Sequence, residues 1–204
     1  MKDTSNSLEL PDPIWTDALT ICEDLRAGNV SAEDLMTNIY QRINQINSKV
    51  NAIVNLLPEK EAIELARHAD RVPLSERGVL HGLPMAMKDS VAIKGFATTL
   101  GFQPFAERIE TQDSPFAERM RKAGVIFIGH TNMPEFGLGS NTFNSVFGAT
   151  HNPYDLNKTA GGSSGGAAVA LATDMLPLAD GSDMGGSLRN PASFCNVVGF
   201  RPSI

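Results

Sequence analysis

The sequence predicts an α/β layered fold, on three observations. Segments with apolar residues at helical spacing alternate with short, continuous apolar runs, the pattern of helices packed on a sheet. Hydrophobic residues make up 42% of the 204, enough to bury a sizeable core and too many for a disordered chain. No internal repeat divides the alternation, so residues 1–204 read as one domain.

The elements follow in chain order. Residues 1–13 are polar and proline-bearing and read as a flexible terminal segment. Trp15, Ala18, Leu19, Cys22 and Leu25 recur at helical spacing, and Gly28 with Asn29 ends that helix. Ser31 stands as an N-cap with Asp34 three residues on, which starts a second helix near Ala32. Its buried stripe is Leu35, Ile39, Ile43 and Ile46. These two helices fit packing on a sheet better than a docking hairpin for a partner. Residues 50–57 are short, apolar and β-branched, hence a strand. Glu59–Asp70 reads as a charged helix with Ala62, Ile63 and Leu65 inward. The run over 80–87 is a strand that ends by delivering Lys88. Residues 91–112 are turn-rich and read as loops.

Asp113-Ser114-Pro115 opens a helix over 115–122, with proline at the first helical position and Gly124 as its stop. A buried strand follows at 125–128, then a loop over 132–147. His130, Asn132 and Glu135 follow a strand end, where α/β sheets bind ligands. Two readings stay open for them: pocket lining, or a turn held by Asn and Glu side chains. Residues 167–175 are apolar and helix-forming, and 176–179 could be a buried strand.

Composition excludes several function classes. The net charge is −6 with no block of like charges, which argues against nucleic-acid binding through a basic face. Cys22 and Cys195 have no metal or redox spacing and read as buried free thiols of a reducing compartment. Neither a charged-then-apolar leader nor an apolar run of membrane length is present, so a cytoplasmic location is expected, with no membrane partner.

The chemistry concentrates in residues 160–192. Ala160-Gly161-Gly162-Ser163-Ser164-Gly165-Gly166 and Gly181-Ser182-Asp183-Met184-Gly185-Gly186-Ser187-Leu188-Arg189 are two serine-bearing glycine turns around an apolar segment. Such clusters are often linkers, but a linker does not enclose core segments. A phosphate-binding loop is the other rival, and the absence of a Gly-Lys-Ser/Thr after the glycines argues against it. A glycine turn can instead hold a serine exposed beside inward-facing N–H groups, the needs of acyl transfer. A serine hydroxyl requires a base. None of His68, His81, His130 and His151 sits in a triad context, whereas Lys88 ends an apolar strand. A lysine held in a core loses its proton more readily than one in water. A lysine that leaves the strand into solvent is the competing reading.

Lys88, Ser163 and Ser187, with their flanks, resemble the amidase signature family, whose members use a Ser–Ser–Lys triad. The spacings agree, and the resemblance runs from about residue 32 to residue 203. It implies a mixed central β-sheet covered by helices on both faces. It implies hydrolysis of the C–N bond of a linear amide, not a peptide bond, through a serine acyl-enzyme. Ser187 is then the nucleophile, Lys88 the base and Ser163 the relay, entered through a cis peptide bond. The backbone N–H groups of Met184, Gly185, Gly186 and Ser187 form the oxyanion hole. Ser164, Asp183 and Arg189 support the two turns. No metal or cofactor is implied, and the partner is a small-molecule amide, with a homo-oligomer as a further expectation. Ala167 stands where many relatives have serine, and Asn196 where glycine is common, a position Asn tolerates if φ is positive.

Family members run longer, so the resemblance implies an amino-terminal portion, truncated at the C-terminus, whose substrate-selecting wall lies in later segments. An incomplete sheet leaves an unpaired edge, and low stability or self-association of the chain is expected. The alternatives are an A-subunit-like component of a glutamine-dependent tRNA amidotransferase, and an inactive fragment needing its missing portion. The wording of the second turn leans toward stand-alone amidases.

Overall fold

The structure, a computed structural model, describes Leu8, Trp15 and residues 17–203. The expected flexible segment over 1–13 lies outside the described residues, Leu8 apart. Leu8 packs against the core, and its N–H donates to Pro153 O at 3.2 Å.

Two helices open the described chain. Helix α1 is Ala18–Ala27, capped by Asp17, whose carboxylate accepts from Thr20 N, and ended by Gly28 at φ 79°. It starts after Trp15, and its inner face is Cys22 and Leu25, whereas Leu19 is 69% exposed. Helix α2, Ala32–Val50, starts at the expected cap, with Ser31 Oγ accepting from Asp34 N at 2.9 Å. The Asp70 carboxylate also accepts from Ala32 N and Glu33 N, a cap supplied from a distant part of the chain. Leu35, Ile39, Ile43 and Ile46 form its buried stripe.

The strand expected over 50–57 is shorter. Val50 belongs to α2, Asn51 turns left-handed at φ 53°, and β1 is only Ile53–Val54. The cause is Asn47, whose side-chain amide bonds Ala52 N, Ile53 N and Ile53 O and so occupies the outer edge of the strand. Helix α3, Glu59–Asp70, buries Ala62 and Ala66, and Leu65 points outward at 46% exposure.

The central sheet has the order β1-β3-β2. Strand β2 is Pro84–Lys88 and β3 is Ile126–Thr131; they run parallel, while β1 is antiparallel to β3. The sheet is therefore mixed. Residues 80–82 are turn rather than strand, and Leu83 O accepts from Ile126 N at 2.9 Å just before β2 begins. Every residue of β2 and β3 is buried, which requires cover on both faces. Helices α3 and α5 (Gly165–Ala172) both pack on it.

Between β2 and β3, the 91–112 loop includes a 3-10 turn, Gln103–Phe105, and helix α4, Pro115–Lys122, follows with Ser114 as its cap. The 132–147 loop also contains a 3-10 turn, Glu135–Gly137, and the hairpin strand β4, Phe143–Asn144, paired with β5, Gly148–Ala149. A second hairpin pairs β6, His151–Asn152, with β7, Asp155–Thr159. Helix α6, Arg189–Phe194, follows the second serine turn.

Residues 176–179 are not a strand. Pro177 lacks an N–H, and the β2 donor that a strand there would meet, Lys88 N, is taken by the Asp180 carboxylate at 2.8 Å. Among the described residues no helix is long and apolar enough to cross a membrane. Cys22 and Cys195 are free and buried, and burial pushes the Cys195 thiol up to about 12.

Candidate active site

Lys88 is the last residue of β2 and only 1% exposed. The apolar run before it carries the strand into the core, so the amine arrives with its carbon stem already buried. Nζ lies 2.7 Å from Ser163 Oγ, 3.0 Å from Ser164 Oγ and 2.8 Å from Ser182 Oγ. No carboxylate forms an ion pair with it among the described residues. Burial pushes the amine down to about 8, against the opposing pull of the Asp180 and Asp183 charges. Three contacts suit the three N–H bonds of an ammonium. They equally suit a neutral amine with two N–H bonds and one lone pair, which then accepts a proton from a serine O–H.

Ser163 and Ser164 lie buried at the entry to α5, and the Gly162–Ser163 peptide bond is cis. The glycines after them answer to space. A Cβ at Gly166 would stand 2.3 Å from Asn132 N and 2.6 Å from Ala52 O, so only glycine lets α5 lie against the ends of β1 and β3. The two turns are tied together by Ser164 N donating to Ser187 O at 2.9 Å.

Asp183 organises the second turn. Its carboxylate, 1% exposed, accepts from Gly186 N at 2.7 Å, from Leu188 N and Arg189 N at 3.3 Å, and from the Arg189 guanidinium at 2.9 and 3.1 Å. The Arg189 hydrogen bonds, with those backbone donors, hold the carboxyl well below the usual carboxylate range. A depressed carboxyl stabilises the fold above its unfolded value of about 3.9, and that contribution is lost as pH falls through the lower folded value. Asp183→Asn is therefore expected to lower the melting temperature at pH 7 and to flatten its fall below about pH 4. Thermal unfolding from pH 2 to 7 measures both, and parallel curves for the two chains would show that the charge does not act this way.

The bond from Gly186 N to Asp183 sets that residue apart from the other expected oxyanion donors. Gly186 N–H is already committed, whereas Met184, Gly185 and Ser187 N–H have no partner among the described residues. Ser187 Oγ is likewise without a hydrogen bond, including to Ser163 Oγ. Both side chains line one pocket of about 350 Å³, with Ser182, Gly185, Met133 and Phe136. Catalytic hydrogen bonds often close only around a substrate.

The remaining candidates sit elsewhere. His130 is fully buried; its Nε2 meets Val91 O at 3.1 Å, and Nδ1 has no partner. Asn132 holds the β4–β5 hairpin through Thr150 Oγ1 and the Asn144 side chain. Glu135 is exposed, in a 3-10 turn. Ala167 is buried, and Asn196 adopts φ 55°, a backbone Asn tolerates. Among the described residues no group of three or more His, Cys, Asp or Glu is placed to hold a metal ion. Sequence reasoning missed Ser182, the third hydroxyl on Lys88, and Asp180, which holds its backbone. Ser182 stood in the second turn as one more small residue, and nothing in its spacing set it apart.

The amidase family model matches residues 34–204. The chain belongs to the amidase signature family. An acylamidase from Rhodococcus erythropolis is 40% identical over 192 residues, covering 93% of this chain and 40% of that protein. The A-type chain of the glutamyl-tRNA(Gln) amidotransferase from Endomicrobium trichonymphae is 39% identical, covering 90% of this chain and 38% of that protein. The chain thus spans about two fifths of the length of these relatives. Among solved structures, 6-aminohexanoate cyclic dimer hydrolase superposes with a TM-score of 0.80 at 32% identity, over 91% of this chain and 37% of that one. A bacterial aryl acylamidase superposes at 0.79 and 34% identity, over 87% and 37%. These amidase signature enzymes share the α/β architecture described above.

Proposed function

We propose that this chain carries the nucleophile, relay and base of an enzyme that hydrolyses amide C–N bonds. One observation carries the reading: Lys88 is a buried amine, pushed down to about 8, facing three hydroxyls and no paired carboxylate. Such an amine is a proton acceptor close to neutral pH, and a fold has little other use for it.

The steps are these. Ser187 Oγ attacks the amide carbonyl carbon as its proton passes to Ser163 Oγ, and the Ser163 proton passes to Lys88 Nζ. The N–H groups of Met184, Gly185 and Ser187 face the developing oxyanion; one such donor is typically worth about 10²–10³ in rate. Collapse breaks the C–N bond, and the amine leaves with the proton returned along the same path. Water then repeats the sequence on the acyl-enzyme, releasing the acid and restoring Ser187. The substrate is a small linear amide, the compartment the cytoplasm, and self-association accompanies the fold.

A fluorophosphonate probe tests the nucleophile. Ser187 is expected to label covalently, and Ser187→Ala to abolish the label, with mass spectrometry locating the adduct. Absence of label in this chain and in any longer form of it sinks the proposal.

The second reading is a component of a tRNA amidotransferase, supported by the 39% identity to the Endomicrobium protein over 90% of the chain. Co-purification with further components of such a complex would favour it, and turnover of a simple amide by the isolated protein would oppose it.

A further inference from the structure

Asp180 has no part in the mechanism above, yet it meets that mechanism at its base. Its Oδ1 accepts the backbone N–H of Lys88 at 2.8 Å, across the outer edge of β2. The residue is half-buried and lines an apolar groove of about 710 Å³ with Leu176, Leu178, Leu188 and Val197. An apolar wall on one side and the end of a buried strand on the other leave this carboxylate few partners.

We propose that Asp180 is a positioning residue for Lys88: its carboxylate fixes the strand end that carries the amine, and its charge governs how tightly the amine holds its proton. The proposal rests on Lys88 being the base.

The geometry separates two roles within one side chain. The bond to Lys88 N is a matter of an oxygen in place, and a carboxamide oxygen supplies it equally well. The charge is a matter of field. A negative charge near an amine favours the ammonium, so an ionised Asp180 opposes the burial that frees the Lys88 lone pair. The other charge acting on Lys88 is Asp183 in the second turn, and that one is already engaged by Arg189, with Arg201 at 3.8 Å. At the entry to α5 the groups facing the amine are the uncharged Ser163 and Ser164. Asp89, the next residue along, directs its carboxylate to Thr99 and Gly101 instead. Of the two acids whose charge acts on Lys88, Asp180 is thus the one in no ion pair among the described residues. Burial pushes its own carboxyl up to about 6, so the field on Lys88 changes within the physiological range.

The test reads Lys88 directly. Its side-chain Cε resonance in a 13C-lysine-labelled protein is assigned by its loss in Lys88→Met and followed from pH 5 to 11. In the wild-type chain the titration near 8 is expected to carry a second, smaller inflection near 6. In Asp180→Asn that inflection disappears and the main midpoint falls by about one unit. The ascending limb of the fluorophosphonate labelling rate is expected to move to lower pH with it. A wild-type curve with no inflection near 6, or an Asp180→Asn midpoint unchanged, overturns the proposal. The wild-type inflection stands on its own if Asp180→Asn does not fold. Failure of Ser187 to label, with the Lys88 titration as expected, would instead sink the hydrolase reading and leave the Asp180 coupling standing.

Discussion

Lys88→Met is expected to cut the rate of covalent labelling at Ser187 by about 10²–10⁴-fold, the usual span for losing a general base. Methionine keeps the length and apolar stem of lysine, so the end of β2 keeps its packing. The hydroxyl of Ser163 loses its hydrogen bond, and Ser164 keeps only its longer contacts to Ser182. The same substitution has an expected effect that needs no catalysis. Burial holds the folded amine down to about 8, against about 10.4 for a lysine in water, so between those values the unfolded chain binds more protons than the folded one. Stability then rises with pH across that window, by about 3 kcal/mol for a shift of this size. Below about 8 the cost of burying the amine is present in full. Lys88→Met removes that rise and is expected to match or exceed the wild-type stability at pH 7. Urea unfolding at pH 7 and pH 10 measures both. An intact labelling rate in the variant would dismiss Lys88 as the base, whatever the stability data show.

Gly166→Ala is expected to destabilise the fold by about 3 kcal/mol or more, beyond the middle of the range for overpacking. The new methyl would meet backbone atoms of Asn132 and Ala52 at 2.3–2.7 Å, and backbone cannot rotate aside as a side chain can. Helix α5 would have to lift from β1 and β3. It carries Ser163 and Ser164 at its entry, so their hold on Lys88 would loosen with it. A fall in melting temperature of roughly 6–12 °C is expected for a chain of this size. Gly185→Ala is the control. A Cβ there has nothing within 4 Å, and its melting temperature is expected to stay close to wild type. Similar melting temperatures for the two variants would show that the Gly166 contact is not what holds α5 down.

The sequence made much of this fold legible where one local signal acted alone. The Ser31 cap and the stripe of α2 needed only spacing and a hydroxyl, and the helix lies where they put it. Helix α4 opens at Ser114 and Pro115 for the same reason. Legibility failed where a distant group settled the outcome. The Asn47 amide shortened β1, and the Asp180 carboxylate, with Pro177, kept 176–179 out of the sheet. Leu65 lies outward, off the helix face that Ala62, Ala66 and the partly buried Ile63 turn to the core.

By itself the sequence determined the family, the alternation of helices and strands, and the pairing of one lysine with two serine-bearing glycine turns. Residue types and spacing along the chain suffice for that, because glycine, serine and lysine each answer to a local requirement. Only the tertiary structure decided which hydroxyls reach the amine, adding Ser182 to the set. It also decided that Gly186 N–H serves Asp183, and that Asp180 stands beside the base. Those are matters of ångströms between segments far apart in sequence, and hydrogen bonding and burial act on distance in space.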